Sequence, residues 1–213
     1  GGEGKVAQQH IICHLELAKQ CAGNGRYEEA LQLLGQAENY PSNLGEGKLA
    51  GAQENDIHYW KGIMYEKLGN KETAEQYYHM AARGISEPVP AVFYNDPQPD
   101  KIFYQGLAWI KLNKPQKAAA IFRRLINFGQ AHIRDNISID YFAVSLPGLS
   151  VFDANLNALN KVHCYYIMGL GYLGLGKEHT EKAAFCFEQA LQSDRNHQGV
   201  LLHAKSSKTN RVS

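Results

Sequence analysis

Residues 168–176 read MGLGYLGLG. Within this stretch Gly169, Gly171 and Gly174 spell G-x-G-x-x-G, the spacing of a dinucleotide-binding loop. Asp194 follows at about the distance where that motif places its acidic residue. Such a loop needs a strand ahead of the first glycine and a helix opening near the third. The residues ahead, 152–168 (FDANLNALNKVHCYYIM), do not alternate. Leu156, Leu159, Tyr166, Leu170 and Leu173 recur at intervals of three, four or seven, with Val162 or His163 carrying the turn between. That is the period of a helix. With Asp153 as its expected N-cap, the helix runs through the glycines, which then belong to packing and to the exit turn rather than to a phosphate cradle.

The same stretch has relatives elsewhere in the chain, at Leu17 (LAKQCAGNGRYEEALQLLGQA), Lys61 (KGIMYEKLGNKETAEQYYHMA) and Gln105 (QGLAWIKLNKPQKAAAIFRRL). Stacked on a small residue, the four copies share columns. The small residue is Ala18, Gly62, Gly106 and Gly169. Three positions later stand Cys21, Tyr65, Trp109 and Tyr172. After a turn come Ala30, Ala74, Ala118 and Ala183, then Leu34, Tyr78, Phe122 and Phe187, then Ala37, Ala81, Leu125 and Ala190. The interval from small residue to alanine is 12 in the first three copies and 14 in the fourth, whose turn carries two extra residues. A glycine inside a helix costs roughly 1 kcal/mol against alanine, so three at matched positions imply a packing reason. Two antiparallel helices approach closely only where a side chain is missing, and the large residue of the next column fills the space beside the gap.

At these residues the chain resembles the tetratricopeptide repeat, a helix–turn–helix unit of about 34 residues. Two departures are visible: the tryptophan early in the first helix is absent, with Trp60 only near its place, and the closing proline is displaced or missing, Pro41 being closest to it. The resemblance implies an all-α, right-handed α-solenoid of about four helix–turn–helix units with long inserts between them. The units are expected at 8–41, 55–84, 99–128 and 154–193, within a repeat region of 5–204. A capping helix is expected near NHQGVLLHA (196–204). Residues 1–4 read as a disordered remnant of expression, and 205–213 as a disordered tail.

Successive small residues are 44, 44 and 63 positions apart, so inserts are expected at 42–54, 85–98 and 129–153. The stretch 84–100 around the second holds four of the seven prolines, which impose extended or turn backbone. The third is apolar, with Ile137, Ile139, Tyr141, Phe142, Val144, Leu146, Leu149, Val151 and Phe152, and is expected to lie against the helices. The stretch 140–176 also looks like the C-terminal repeat region of large bacterial proteins that carry a β-rich domain of unknown function upstream. That likeness implies an excised part of a longer chain and a link to carbohydrate metabolism.

A net charge of +1 offers no basic excess for nucleic acid, and no run approaches the length of a membrane span. The four cysteines, Cys13, Cys21, Cys164 and Cys186, form no C-x-x-C. They read as reduced, buried small hydrophobes, which favours a cytoplasmic setting.

Repeat arrays of this kind bind peptides or partner surfaces in the groove lined by their first helices. The corresponding columns give Leu15, Tyr59, Phe103 and Tyr166, and one turn later Lys19, Ile63, Leu107 and Leu170. The predicted partner-binding set is therefore Tyr59, Ile63, Phe103, Leu107, Tyr166 and Leu170, with Tyr59, Phe103 and Tyr166 as anchors. His58 and His163 are the candidate polar contacts, to a ligand or to a loop carbonyl. The groove lacks the Lys/Asn pattern that clamps a C-terminal carboxylate, and it is equally open to being filled by the inserts. His10, Cys13 and His14 share a helix face but lack an acidic neighbour, so no metal and no cofactor is expected. The serines lie outside any G-x-S-x-G turn. Glu28 and Glu29 suit a helix start. The expectation is a non-enzymatic protein–protein interaction or scaffolding module, engaging a protein or peptide partner, an upstream domain of the same polypeptide, or a second copy of the chain. The rival is an accessory module of a carbohydrate-active protein, stacking sugars on Phe93, Tyr94 and Tyr141.

Overall fold

The computed structural model describes residues 3–39, 53–90, 98–137 and 149–209. Among these residues there is no strand, and the elements are α1 (Glu3–Gly23), α2 (Tyr27–Glu38), α3 (Asn55–Lys67), α4 (Lys71–Ala81), α5 (Pro99–Lys111), α6 (Pro115–His132), α7 (Leu149–Leu175), α8 (Thr180–Ser193) and α9 (Gln198–Thr209). The all-α class and the helix–turn–helix organisation hold. The chain divides into two compact units, residues 1–84 with 107–115, and residues 85–106 with 116–213.

Residues 161–174 lie inside α7, so the glycines of the opening stretch are helical. A Cβ built on Gly169 would lie 2.6 Å from Cδ1 of Phe187. Gly62 stands in the same relation to Cδ1 of Tyr78, and Gly106 to Cζ of Phe122, each at 2.6 Å. One contact thus recurs in three pairs: a glycine of the first helix receives the ring of the second. In the first pair Ala18 and Leu34 occupy the two columns, in one buried cluster. The alanine column is fully buried, as are Leu34, Tyr78, Phe122, Phe187, Ala37, Ala81, Leu125 and Ala190. Gly171 and Gly174 serve a further approach. A Cβ on Gly171 would lie 2.6 Å from the Phe122 carbonyl oxygen, and one on Gly174 2.6 Å from Cγ of the same residue. The ring of Phe122 is therefore held between Gly106 and Gly174.

Seven positions after each small residue the backbone turns left-handed, at Gly25, Gly69, Asn113 and Gly176, with φ of 75°, 84°, 59° and 104°. In the first three turns the next amide donates back to the first helix: Arg26 N to Cys21 O (2.8 Å), Asn70 N to Tyr65 O (2.9 Å) and Lys114 N to Trp109 O (2.9 Å). This is the six-to-one bond of a glycine-type helix stop, and asparagine is among the few residues that tolerate its φ. The fourth turn differs: Gly176 has ψ −166°, a region that only glycine enters freely. Its two extra residues are absorbed by a 3₁₀ turn, Lys177–His179. Pro115 opens α6 and Pro99 opens α5, where a missing N–H costs nothing.

Several expected boundaries move. Asp153 is not an N-cap: α7 begins at Leu149, directly after the helix-breaking pair Pro147-Gly148 in the sequence. α6 continues through His132, so the first part of the expected third insert is helix. The reason is packing, since a Cβ on Gly129 would stand 2.8 Å from the Cys164 carbonyl oxygen of α7. α1 starts at Glu3, inside the segment expected to be disordered, and α9 runs to Thr209, into the expected tail. Residues 138–148 of the third insert, including Ile139, Tyr141, Phe142, Val144 and Leu146, lie outside the described residues, as do Phe93 and Tyr94.

Side chains fasten the irregular segments. Asn55, 3% exposed, donates through Nδ2 to the carbonyls of Ala81 (2.7 Å) and Arg83 (2.6 Å), satisfying acceptors that the end of α4 leaves open. In the second unit Asn160 Nδ2 does the same for His132 O at 2.8 Å.

Candidate functional site

The predicted groove set divides by burial. In the first unit Tyr59 and Ile63 are half-buried; Tyr59 packs against Ala81, Ala82 and Ala108, and burial pushes its hydroxyl up to about 12. Leu107 is also half-buried. In the second unit Phe103, Tyr166 and Leu170 are 4%, 6% and 0% exposed. Phe103 meets Phe122 and, edge-on, His203 of α9, with ring centroids 5.9 and 5.6 Å apart. His203 bonds the hydroxyls of Tyr104 (3.3 Å) and Tyr166 (3.4 Å), while its Nδ1 donates to Gly199 O (2.7 Å). Gly199 lets this happen, since a Cβ there would stand 2.6 Å from Cζ of Tyr166. Phe103, Tyr166 and Leu170 are consequently core residues and cannot act as surface anchors. The groove at these positions is occupied by the C-terminal helix α9, at the place where a capping helix was expected.

His163 finds the loop carbonyl anticipated for it: its Nε2 donates to Val89 O at 2.8 Å. With Gln105 Nε2 on Ile85 O (3.0 Å) and Arg124 Nη1 on Ser86 Oγ (2.5 Å), it ties residues 85–89 of the second insert to the helices. Burial lowers the pKa of His163, against the opposing effect of the Val89 bond, so the ring is neutral near pH 7. His58 is half-buried, and its pKa is lowered by burial despite the carboxylates of Glu38, Glu54 and Asp56.

An open apolar cleft lies instead on the neighbouring stripe of α7. Tyr165, Met168 and Tyr172, with Phe185 and Cys186 of α8, line a space of about 420 Å³ edged by Glu181 and Lys182. Phe185 is 56% exposed, an unusual setting for a ring beside other apolar walls. Tyr172 is stacked on His179 and takes the Lys182 ammonium over its face. Sequence columns missed this cleft because it uses the positions four before, one before and three after the small residue, whereas the groove columns are three before and one after. The signal was Phe185 itself, an aromatic beside the buried Phe187 column but off its stripe. A second cleft of about 360 Å³ in the first unit mixes charged and apolar walls, lined by Glu66, Lys71, Glu75, Lys111 and Asn113 with Ala74, Tyr78 and Leu112; Lys111 and Glu66 pair at 3.0 Å.

Burial pushes the thiols of Cys164 and Cys186 up to about 12 and 11, so both stay protonated. Cys21 is buried as well, but Cys13 is exposed, a correction to the reading of all four as buried. Its neighbours on α1 bond backbone: His14 Nδ1 to His10 O at 2.8 Å, and His10 Nε2 to Gln36 O at 3.1 Å.

Family models described as tetratricopeptide repeat match residues 56–79, 102–127 and 163–197, the segments that carry the glycine–aromatic contacts. The chain carries tetratricopeptide repeats. The first helical pair has the same columns as the three matched repeats, with alanine and leucine in place of glycine and a ring. A solved structure of the MamA RS-1 ArsTM double mutant is similar at 14% identity over 95% of each chain, with a TM-score of 0.31, too low to bear on function. Tetratricopeptide repeats in general mediate contacts between proteins. No helix among the described residues is long and apolar enough to cross a membrane.

Proposed function

We propose that this chain is a protein-docking or scaffolding module and that the α7–α8 cleft receives an apolar side chain of the partner. The observation that carries the reading is Phe185, more than half exposed at an apolar cleft with a charged edge. An apolar centre with a polar rim is the anatomy of protein interfaces, and aromatic anchors dominate their energetics. The predicted anchors Phe103 and Tyr166 are already committed to α9, and the cleft offers an open apolar surface in the same unit. Tyr59, Ile63 and Leu107, half-buried, serve the first unit as secondary contacts. The sugar-stacking reading rests on Phe93, Tyr94 and Tyr141, outside the described residues, and nothing among the described residues favours it.

Site-specific photo-crosslinking from position 185 in the producing cell tests the proposal. A discrete adduct, lost when Tyr172 is replaced by Asp, supports it. The adduct's mass separates a foreign protein, an upstream part of the same polypeptide and a second copy of the chain. No adduct, or one unaffected by Tyr172→Asp in a variant with unchanged helicity, overturns it.

A further inference from the structure

Where α2 ends and α3 begins, three metal-ligating side chains converge. Glu38 stands in the last turn of α2, Glu54 caps α3 and His58 lies in its first turn. One donor atom from each lies within 4.8 Å of the other two. All three residues are half-buried. Glu54 Oε2 and His58 Nδ1 are withdrawn from solvent, and that Nδ1 has no hydrogen-bond partner. A buried ring nitrogen normally finds one. Here the ring stands beside two carboxylates, donors that complement an imidazole only around a cation or a proton.

We propose that Glu38, Glu54 and His58 bind a divalent first-row transition ion, with zinc the best fit, which clips the end of α2 to the start of α3. One imidazole and two carboxylates suit zinc and its neighbours. Calcium and magnesium prefer an all-oxygen shell, and Cu(I) prefers sulfur. Around zinc, donor atoms stand about 3–3.5 Å apart, so small side-chain rotations close the group onto an ion. Three protein donors leave a coordination position for water. Lys61 tunes the site's affinity: its ammonium pairs with Glu38 Oε2, and its side chain is only 12% exposed. The carboxylate is then shared between Lys61 and the ion, one oxygen to each, and the fixed positive charge opposes the metal. The clip joins the first repeat to the second across residues 40–52, entirely within the first unit.

Neither this proposal nor its test depends on the docking reading. The test uses the full chain with His10 and His14 replaced by Gln, to silence the other histidine pair of this unit. Zinc ion is titrated against a chromophoric chelator, and the ring resonances of the remaining histidines are followed by NMR. The expected result is saturable 1:1 binding that shifts the His58 resonances ahead of all others. His58→Gln and Glu54→Gln should each weaken it at least about 10-fold, and Lys61→Met should tighten it several-fold. The Co2+ form should show visible ligand-field absorption that His58→Gln abolishes. Binding unchanged in His58→Gln, weakened by Lys61→Met, or leaving the His58 resonances unmoved in the otherwise intact protein would overturn the assignment. The NMR arm needs no variant at the site and stands even if a substitution there unfolds the first unit.

Discussion

Replacing Gly169 by Ala should destabilise this protein, although the same change on an exposed helix stabilises by about 1 kcal/mol. The reason is the ring of Phe187. A Cβ at position 169 would lie 2.6 Å from Cδ1 and 3.0 Å from Cζ, against about 3.5–4.0 Å for carbon atoms in comfortable contact. Phe187 is 1% exposed and has no free space to swing into. Overpacking of this kind costs about 1–3 kcal/mol. Set against the propensity gain, the net loss is about 1 kcal/mol, a fall of about 2–4 °C in Tm for a chain of this length. The first repeat shows how the conflict is resolved, since it carries Ala18 with Leu34 instead of a glycine with a ring. Phe187→Leu alone leaves a void and should cost about 1–2 kcal/mol. Combined with Gly169→Ala it recreates the first repeat's pair. The double variant should then be more stable than the sum of the singles by about 1 kcal/mol. Urea unfolding followed by far-UV circular dichroism measures all three, with the denaturant slopes compared to confirm a common transition. Gly171→Ala is the control: its methyl would meet the Phe122 carbonyl oxygen at 2.6 Å, backbone that truncating the 122 side chain cannot remove, so Phe122→Leu should give no rescue. If Gly169→Ala stabilises the protein, or if its cost and that of Phe187→Leu simply add, close packing is not what places glycine in this column.

Gly69→Ala should cost about 1–2 kcal/mol through its left-handed φ alone, because nothing lies within 4 Å of the added Cβ. Gly69→Asn should cost less, since Asn113 already occupies the equivalent turn; equal melting temperatures for the two variants would contradict this. Asn55→Ala should cost about 1–3 kcal/mol in chemical unfolding, by stripping the Ala81 and Arg83 carbonyls of their donor. Acidification should weaken the second unit. Burial lowers the pKa of His163 and, against the pull of Asp194, that of His197. The unfolded chain then takes up protons at these rings first, so stability is intact above pH about 6.5 and falls as pH drops towards the lowered folded values. His197 Nδ1 accepts from Val200 N at 3.1 Å at the start of α9, a bond that protonation removes. The urea midpoint should therefore fall between pH 7.5 and 5.5, less steeply in a His163→Gln, His197→Gln variant; a midpoint that rises on acidification refutes this.

The packing of each helical pair was legible because it is local and repeated. A small residue, an alanine and a large apolar residue recur in all four copies, as glycine facing a ring in three of them, and these columns map to one repeated contact. Helical periodicity over residues 156–173 by itself argues against a phosphate loop at Gly169–Gly174. The left-handed turn column, seven after the small residue, was equally present in Gly25, Gly69 and Gly176. It was hidden by Asn113, which serves the same backbone with a different letter. Helix ends were less legible: α6 extends through His132 because Gly129 meets α7, and a contact with a residue thirty-five positions away leaves no periodic mark.

The groove was misread for a related reason. Offsets place the columns, but whether a lining residue is available depends on what else the chain lays over it. His203, a hundred residues from Phe103, lies on a short helix whose apolar pattern is weak. It is Gly199 that lets α9 come down onto Tyr166, and a lone glycine one turn ahead of a histidine does not announce a target. The same distance problem applies to Glu38, Glu54 and His58. Glu54 and His58 share a helix start, but Glu38 joins them only because the fold returns the chain from α2 to α3. Contacts within a repeat can be read from offsets, whereas contacts of a repeat with a capping helix or across an insert require the fold. The two proposed sites divide along this line: the cleft at Phe185 lies within one repeat, between α7 and α8, whereas Glu38, Glu54 and His58 meet only across the α2–α3 connection.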